Sequence, residues 1–459
     1  MKFSRRDVLV GMGLAPALLR ANPQPTTHAA AFRRFAPTPP MGWNSWDSFG
    51  PTIREEEARA NAEIMARQLL PHGYDIFTID IQWYEPGANS FDYRKNAQLT
   101  LDPWGRLIPA PNRFPSAAGD AGFAPLARYI HSLGLKLGIH ILRGVPRQAA
   151  ERNTPILGTR FGAADIADRV NVCEWNSDMF GIDMARPGAQ EYYDSIVRLY
   201  ASWGVDFIKA DDMSRPYQRN AAEIHALRRA IDRCGRPIIL SLSPGETPLA
   251  AATDVLESAN MWRISDDFWD TWPALLEQFE RLRKWSAYRR EGNWPDADML
   301  PLGVLDLGRR GTRFTADEQV TLMTLWSIAR SPLIMGGDLR KLDDNTRELL
   351  TNNEVLAVNQ SSQENREIRN QDGFVVWQAR DARGPDTYAA IFNIRDRDSA
   401  GDRANTTVTL AELGLSGSHR VRDLWKRSNL ATAPDHFVAT VPAHGAALFR
   451  LSPPQVNRG

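Results

Sequence analysis

Eight short apolar runs alternate with longer amphipathic stretches through most of the chain, and this alternation constrains the fold more than any other feature. The candidate strands cover 41–46, 74–81, 135–141, 205–211, 237–242, 260–265, 297–304 and 332–335. Between them lie 55–70, 123–133, 189–203, 221–233, 272–288 and 316–329, where apolar residues recur at i, i+3 and i+4. Strand–helix alternation of this length reads as an α/β fold, a (β/α)8 TIM barrel. Beyond Asn359-Gln360 the period changes to two, in runs at 374–379, 388–393, 406–410, 419–424, 437–441 and 445–451. These predict a C-terminal antiparallel β-sandwich. The 459 residues suit roughly two domains, with the barrel expected over 38–358 and the sandwich over 366–455.

The first 31 residues read as an export segment rather than as part of the fold. Ser4-Arg5-Arg6-Asp7 precedes an apolar run from 8 to 19 broken by Gly11, Gly13 and Pro16. This pattern resembles a twin-arginine signal peptide, so the protein is expected to be exported, to the periplasm or the medium. Basic and acidic residues balance at 55 each, which argues against a nucleic-acid partner. No stretch reaches the roughly 20 apolar residues of a membrane span. Two cysteines, Cys173 and Cys234, are too few for a disulfide scaffold. The 14 tryptophans are mostly core packing by expectation, with a few left as flat faces for sugar rings.

Active-site groups of a barrel project from the C-terminal ends of its strands. In order, these ends carry Trp46, Asp80-Ile81, His140, Lys209 and Asp211, Ser243, Arg263, and Asp266-Asp267. A Gly-rich phosphate cradle, a His-Glu-x-x-His helix and a Gly-x-Ser-x-Gly elbow are all missing. Separated carboxylates among cations and an aromatic face are the parts of a glycosidase site. The strand period of two puts Lys209 and Asp211 on one face, where an ammonium favours the ionised carboxylate a nucleophile needs. A Lys–Asp pair that only braces a strand end fits the same spacing. The same parity aligns Arg263 with Asp267, and Phe268-Trp269 are expected to desolvate Asp267 as a general acid requires. Asp266 competes for that role, its alternative being a solvated or helix-capping aspartate.

At these residues the sequence resembles glycoside hydrolase family 27, the α-galactosidase or melibiase family. The likeness runs from about Thr38 to the end. It is carried by Pro39-Pro40-Met41-Gly42-Trp43-Asn44-Ser45-Trp46, by 203–211 ending in Lys209-Ala210-Asp211, and by 262–267. Trp294-Pro295-Asp296-Ala297-Asp298, Ser331-Pro332-Leu333-Ile334-Met335 and Pro442-Ala443-His444-Gly445 complete it. The resemblance implies a retaining exo-glycoside hydrolase working by double displacement, with Asp211 as nucleophile and Asp267, rather than Asp266, as acid/base. It implies that Trp46 stacks on the sugar, that Asp80 and Lys209 bind ring hydroxyls, and that Arg263 binds the 2-hydroxyl. No metal or organic cofactor is implied. The partners are terminal galactosyl or arabinopyranosyl glycans.

Four positions depart from the family pattern. Ile81 stands where galactosidases carry the second of two aspartates, and it cannot accept a hydrogen bond from O6. β-L-Arabinopyranose is α-D-galactose without its CH2OH, so an apolar residue there suits a β-L-arabinopyranosidase. Ser243 replaces part of the stretch that reads the 2-position, as in N-acetylgalactosaminidases. His140 stands where many members have tyrosine and reads as a hydrogen-bonded wall residue. Met213 replaces a cysteine often disulfide-bonded in the family. The alternatives are an α-N-acetylgalactosaminidase or transglycosylase on the same site, or a non-catalytic carbohydrate-binding protein.

Overall fold

The computed structural model describes residues 31–396 and 403–454; the export signal expected over the first 31 residues lies outside the described residues apart from Ala31. Eight parallel strands build the first unit: β1 (Met41–Asn44), β2 (Ile76–Ile79), β3 (Lys136–Leu142), β4 (Phe207–Asp211), β5 (Ile239–Leu242), β6 (Met261–Arg263), β7 (Trp294–Asp296) and β8 (Leu333–Met335). They pair in the order β7-β6-β5-β4-β3-β2-β1-β8. The ring closes just beyond β7, where Leu300 bridges Met335 in parallel and its N–H donates to the Ile334 carbonyl at 2.8 Å. Every residue of β1, β2 and β5 is buried, as expected for barrel strands covered on both faces. Gly42 permits the closest approach in the ring, since a Cβ there would lie 2.1 Å from the Ile76 carbonyl oxygen.

Helices follow the strands: α1 (Glu55–Gln68), α2 (Ala124–Ser132), α3 (Ala189–Trp203), α4 (Tyr217–Arg233), α5 (Ala252–Ser258), α6 (Trp272–Trp285) and α7 (Ala316–Ala329). In α3 the buried residues Tyr192, Tyr193, Ile196, Val197, Tyr200 and Trp203 form one helical stripe. The helix ends at Gly204, whose φ of +92° is the left-handed stop that glycine accepts without strain. By contrast α7 is buried on all sides, from Thr321 to Ala329, because the barrel covers one flank and the C-terminal domain the other.

That domain packs a larger sheet of β9 (Ser362–Gln371), β10 (Phe374–Asp381), β11 (Thr387–Asn393), β15 (Ala446–Ser452) and β13 (Arg420–Asp423) against the pair β12 (Arg403–Thr409) and β14 (His436–Pro442). Val376, Ile391, Val408, Phe437 and Phe449 fill the space between them. Its contacts with the barrel are specific. The Thr321 hydroxyl donates to the His444 carbonyl at 2.7 Å, His444 stacks on Trp272 at 3.8 Å, and the Trp425 indole donates to Thr324 at 2.8 Å.

One expected strand is displaced, and two elements carry no signal in the sequence. The seventh strand occupies Trp294–Asp296 rather than 297–304, because Pro295 sits inside a strand that the apolar pattern places later. Helix α5 is seven residues long, too short to show a periodic stripe. Strand β9 reads Ser-Gln-Glu-Asn-Arg-Glu-Ile-Arg-Asn-Gln; it lies at a sheet edge with one apolar residue, so no alternation marks it. Both cysteines are free.

Candidate active site

The C-terminal mouth of the barrel opens into a cavity of about 700 Å³. Among the site residues expected from sequence, Trp46, Asp80, Ile81, Lys209, Asp211 and Asp267 line it. His140, Ser243 and Arg263 are buried just behind that lining, bonded to the carboxylates in front of them.

Asp211 ends β4 at the cavity floor. His140 Nε2 lies 2.9 Å from its Oδ2, and the Ser243 hydroxyl donates to its Oδ1 at 3.1 Å. A carboxylate only accepts, so the His140 proton sits on Nε2; Nδ1 has no partner. Burial alone would raise the Asp211 pKa, but the His140 hydrogen bond and the charges of Lys209 and Arg263 outweigh it and hold the carboxyl below its ordinary value. The parity argument therefore gives the right direction with the wrong first partner. The Lys209 ammonium bonds directly to Asp80 Oδ2 at 2.9 Å, and Asn44 donates to the same oxygen at 2.6 Å. Burial opposes ionisation of Asp80 too, yet Lys209 and His140 bring its pKa below normal. His140, a wall residue by sequence, touches the Asp211 carboxylate.

Asp267 is set differently. Its side chain is 55% exposed, so the expected desolvation by Phe268 and Trp269 is not found. Phe268 turns into the core against Phe314 and Trp326, while Trp269 faces Phe91 and Arg310. What holds Asp267 is Arg263, at 3.2 Å from its Oδ1. The same guanidinium nitrogen reaches Asp298 Oδ2 at 2.7 Å. Asp266 is on the rim, paired with Arg215 at 2.6 Å. It caps no helix; Thr271 occupies the N-cap position of α6.

Four cavity carboxyls escape a reading of the sequence by strand ends: Asp47, Glu174, Asp212 and Asp298. Asp298 is buried, and burial, opposed by Arg263 and assisted by Asp267 and Asp296, pushes it up to about 7. Misplacing β7 by three residues hides it, since it follows the true strand end by two. Asp47 directly follows Trp46 in a helical turn. It is raised well above the carboxylate range by burial and by Asp298, against the pull of Lys209. Aromatic side chains form one wall: Trp46 stacks on Tyr93 at 5.6 Å, and Tyr93 meets Trp175 at 5.6 Å. Among the described residues no cluster of three or more His, Cys, Asp or Glu could hold a metal ion.

The geometry can present an ionised carboxylate at the floor and a second, accessible one across the opening. The clamp on Asp211 gives a pH prediction. The Asp211 pKa is depressed, so the base form survives on acidification to below the ordinary carboxylate value and is lost only as pH falls through the lowered one. His140→Phe removes the leading ionising hydrogen bond. The acid limb of kcat/KM is expected to move to higher pH, with kcat affected more than KM. An unmoved acid limb would remove His140 from this role.

Comparison with known proteins follows the same outline. The family model described as Alpha galactosidase A matches residues 38–186 and 176–361. The model described as Alpha galactosidase C-terminal beta sandwich domain matches 371–451. The fold superposes on a GH27-β-L-arabinopyranosidase from Geobacillus stearothermophilus with a TM-score of 0.90 and 50% identity, covering 94% of this chain and 99% of that one. A Bacillus halodurans protein, proposed to be an α-N-acetylgalactosaminidase, superposes at 0.81 with 44% identity, covering 91% and 97%. Alpha-galactosidase 2 of Arabidopsis thaliana is 29% identical over 423 residues, 90% of this chain and 89% of the relative.

Proposed function

The chain belongs to the α-galactosidase family, glycoside hydrolase family 27, and we propose that it is a retaining exo-glycosidase that prefers terminal β-L-arabinopyranosyl over α-D-galactosyl residues. The observation that carries the preference is Ile81 in the cavity wall beside Asp80. Asp80 is committed to Asn44 and Lys209 and grips a ring hydroxyl through the oxygens' remaining lone pairs. The next residue offers only methyl groups and a backbone N–H turned back to Asp80 Oδ1 at 2.8 Å. A galactose CH2OH packed there loses its hydrogen bond to water without replacement, at about 1–3 kcal/mol, very roughly ten- to hundredfold. Arabinopyranose has no such group. The likeness to an arabinopyranosidase at 50% identity supports the same reading.

In the proposed mechanism Asp211 attacks the anomeric carbon while Asp267 protonates the departing oxygen. Asp267 then takes a proton from water, which displaces Asp211 from the glycosyl-enzyme. His140 and Ser243 hold both oxygens of Asp211, fixing its approach and favouring its anionic form. Trp46 supplies the flat face for the sugar, and Arg263 orients Asp267. The sugar and its leaving group supply the cover over Asp267 that the protein lacks. Recognition of a 2-acetamido group loses its support, since the Ser243 hydroxyl is bonded to Asp211 and lies behind the cavity lining.

The test compares kcat/KM for p-nitrophenyl β-L-arabinopyranoside, α-D-galactopyranoside and the α-N-acetylgalactosaminide. The arabinoside is expected to lead the galactoside roughly tenfold or more, and Ile81→Asp is expected to narrow or invert that ratio. Equal rates in the wild type, or a ratio that Ile81→Asp leaves unchanged, would sink the assignment. Export by the twin-arginine route remains part of the proposal, on the pattern of Arg5-Arg6 and the apolar run after them.

A further inference from the structure

The cavity holds more than a pentopyranose needs, and its outer part differs chemically from its floor. A three-stranded antiparallel sheet of Val145–Pro146, Met179–Ile182 and Ala167–Val172 stands over the end of β3. This sheet is braced: Arg219 donates to the Val170 carbonyl at 2.9 Å, Gln82 donates to Asp178 at 2.6 Å, and Asn96 N–H donates to Ser177 at 2.8 Å. On this rigid support Val172 and Trp175 line the cavity while remaining 38% and 39% exposed; Val170, further out on the same strand, is 84% exposed. Apolar groups held in water beside a catalytic opening mark a ligand surface rather than a core.

The rest of the outer lining agrees. Pro216, Pro244 and Trp269 face the same space. Several charges around it are paired, Arg215 with Asp266 at 2.6 Å and Arg143 with Asp212 and Glu223, each at 2.7 Å; Glu174 and Arg219 line the same space. A second sugar would need more polar partners than Asn171 and Glu174 supply, and the Arg219 guanidinium is held by the Val170 carbonyl with its charge already offset by Asp212. An uncharged apolar group needs only the faces that are present.

Resting on the glycosidase reading, we propose that Val172, Trp175, Pro216, Pro244 and Trp269 form a leaving-group subsite for an uncharged apolar aglycone, alkyl or aromatic, rather than for a second sugar.

The test uses leaving groups of similar acidity, so that chemistry stays constant and only contact changes. The n-octyl β-L-arabinopyranoside is expected to exceed the methyl glycoside in kcat/KM at least tenfold, and to exceed a disaccharide carrying the same terminal sugar. Val172→Ser and Val172→Asn, made separately, are expected to lower kcat/KM for the octyl substrate at least fivefold. Both should leave β-L-arabinopyranosyl fluoride, which has no aglycone to bind, within about twofold of wild type. Equal rates on octyl and methyl glycosides, or a disaccharide faster than both, would overturn the subsite. A variant that slows the fluoride as much as the octyl glycoside would also overturn it, because the defect would then lie in the sugar site or the fold. Turnover of α-D-galactopyranosyl fluoride in place of the arabinosyl fluoride would instead defeat the sugar assignment. The same octyl and methyl pair in the galactose series then decides the subsite by the same criteria.

Discussion

Asp211→Asn is expected to lower kcat on an aryl glycoside by on the order of 10^5-fold or more, with folding and sugar affinity largely kept. The amide is isosteric, so Ser243 and the backbone N–H of Asp212, 3.2 Å from Oδ1, retain an acceptor if the carbonyl oxygen faces them. The amide nitrogen then faces His140, whose proton can move to the unpartnered Nδ1 so that Nε2 accepts. What disappears is the anion. In the native site that anion is favoured against burial by His140, Lys209 and Arg263, an arrangement with no purpose in a site that only binds sugar. A sharper variant is Asp211→Ala, which leaves a small gap where azide fits. Azide attacking from that side gives a glycosyl azide of inverted configuration. Its stereochemistry by proton NMR therefore identifies the side from which the native carboxylate attacks. Wild-type turnover in Asp211→Asn, or a retained azide product from Asp211→Ala, would end the nucleophile assignment.

Much of this site was legible in sequence because a barrel fixes where its strands end, and the residues at those ends are few. Asp80, Lys209, Asp211 and Asp267 could be chosen without knowing any side-chain torsion. Their partners could not. Strand parity places Lys209 beside Asp211, yet the ammonium selects Asp80 across the sheet, since β2 and β4 flank β3 and their ends converge. His140 lies on that intervening strand, in register with Lys209, and so reaches Asp211 where Lys209 does not. The solvent exposure of Asp267 was equally hidden. Phe268 and Trp269 are apolar, but one is drawn into the core by Phe314 and Trp326, and neighbours distant in sequence decide that. Asp298 and Asp47 were missed for a local reason. Each sits in a turn just past a strand, where a shift of a few residues separates a cavity residue from a loop residue. In the C-terminal domain, apolar runs marked β10 and β11, which are buried on both faces, and alternation marked β14; both signals failed on β9, whose edge position leaves it polar on both faces.

The second large effect belongs to Asp267, and its size depends on the substrate in a way that structural damage would not mimic. Removing a general acid costs roughly 10^2- to 10^4-fold, but only where the leaving group needs a proton. Asp267→Ala is expected to depress kcat/KM on an alkyl glycoside toward the top of that range and on a 2,4-dinitrophenyl glycoside by less than about tenfold. With the activated substrate the glycosyl-enzyme then forms readily and hydrolyses slowly, because the same residue activates water. A burst of dinitrophenolate followed by a slow steady state is the expected time course. Azide should restore turnover and give a product of retained configuration, the opposite outcome to Asp211→Ala. One neighbour serves as a control. Asp266, paired with Arg215 on the rim, should tolerate replacement by Asn with less than about threefold loss. Equal losses on alkyl and dinitrophenyl substrates in Asp267→Ala would assign the residue to binding or folding, and the proton would have to come from elsewhere in the cavity.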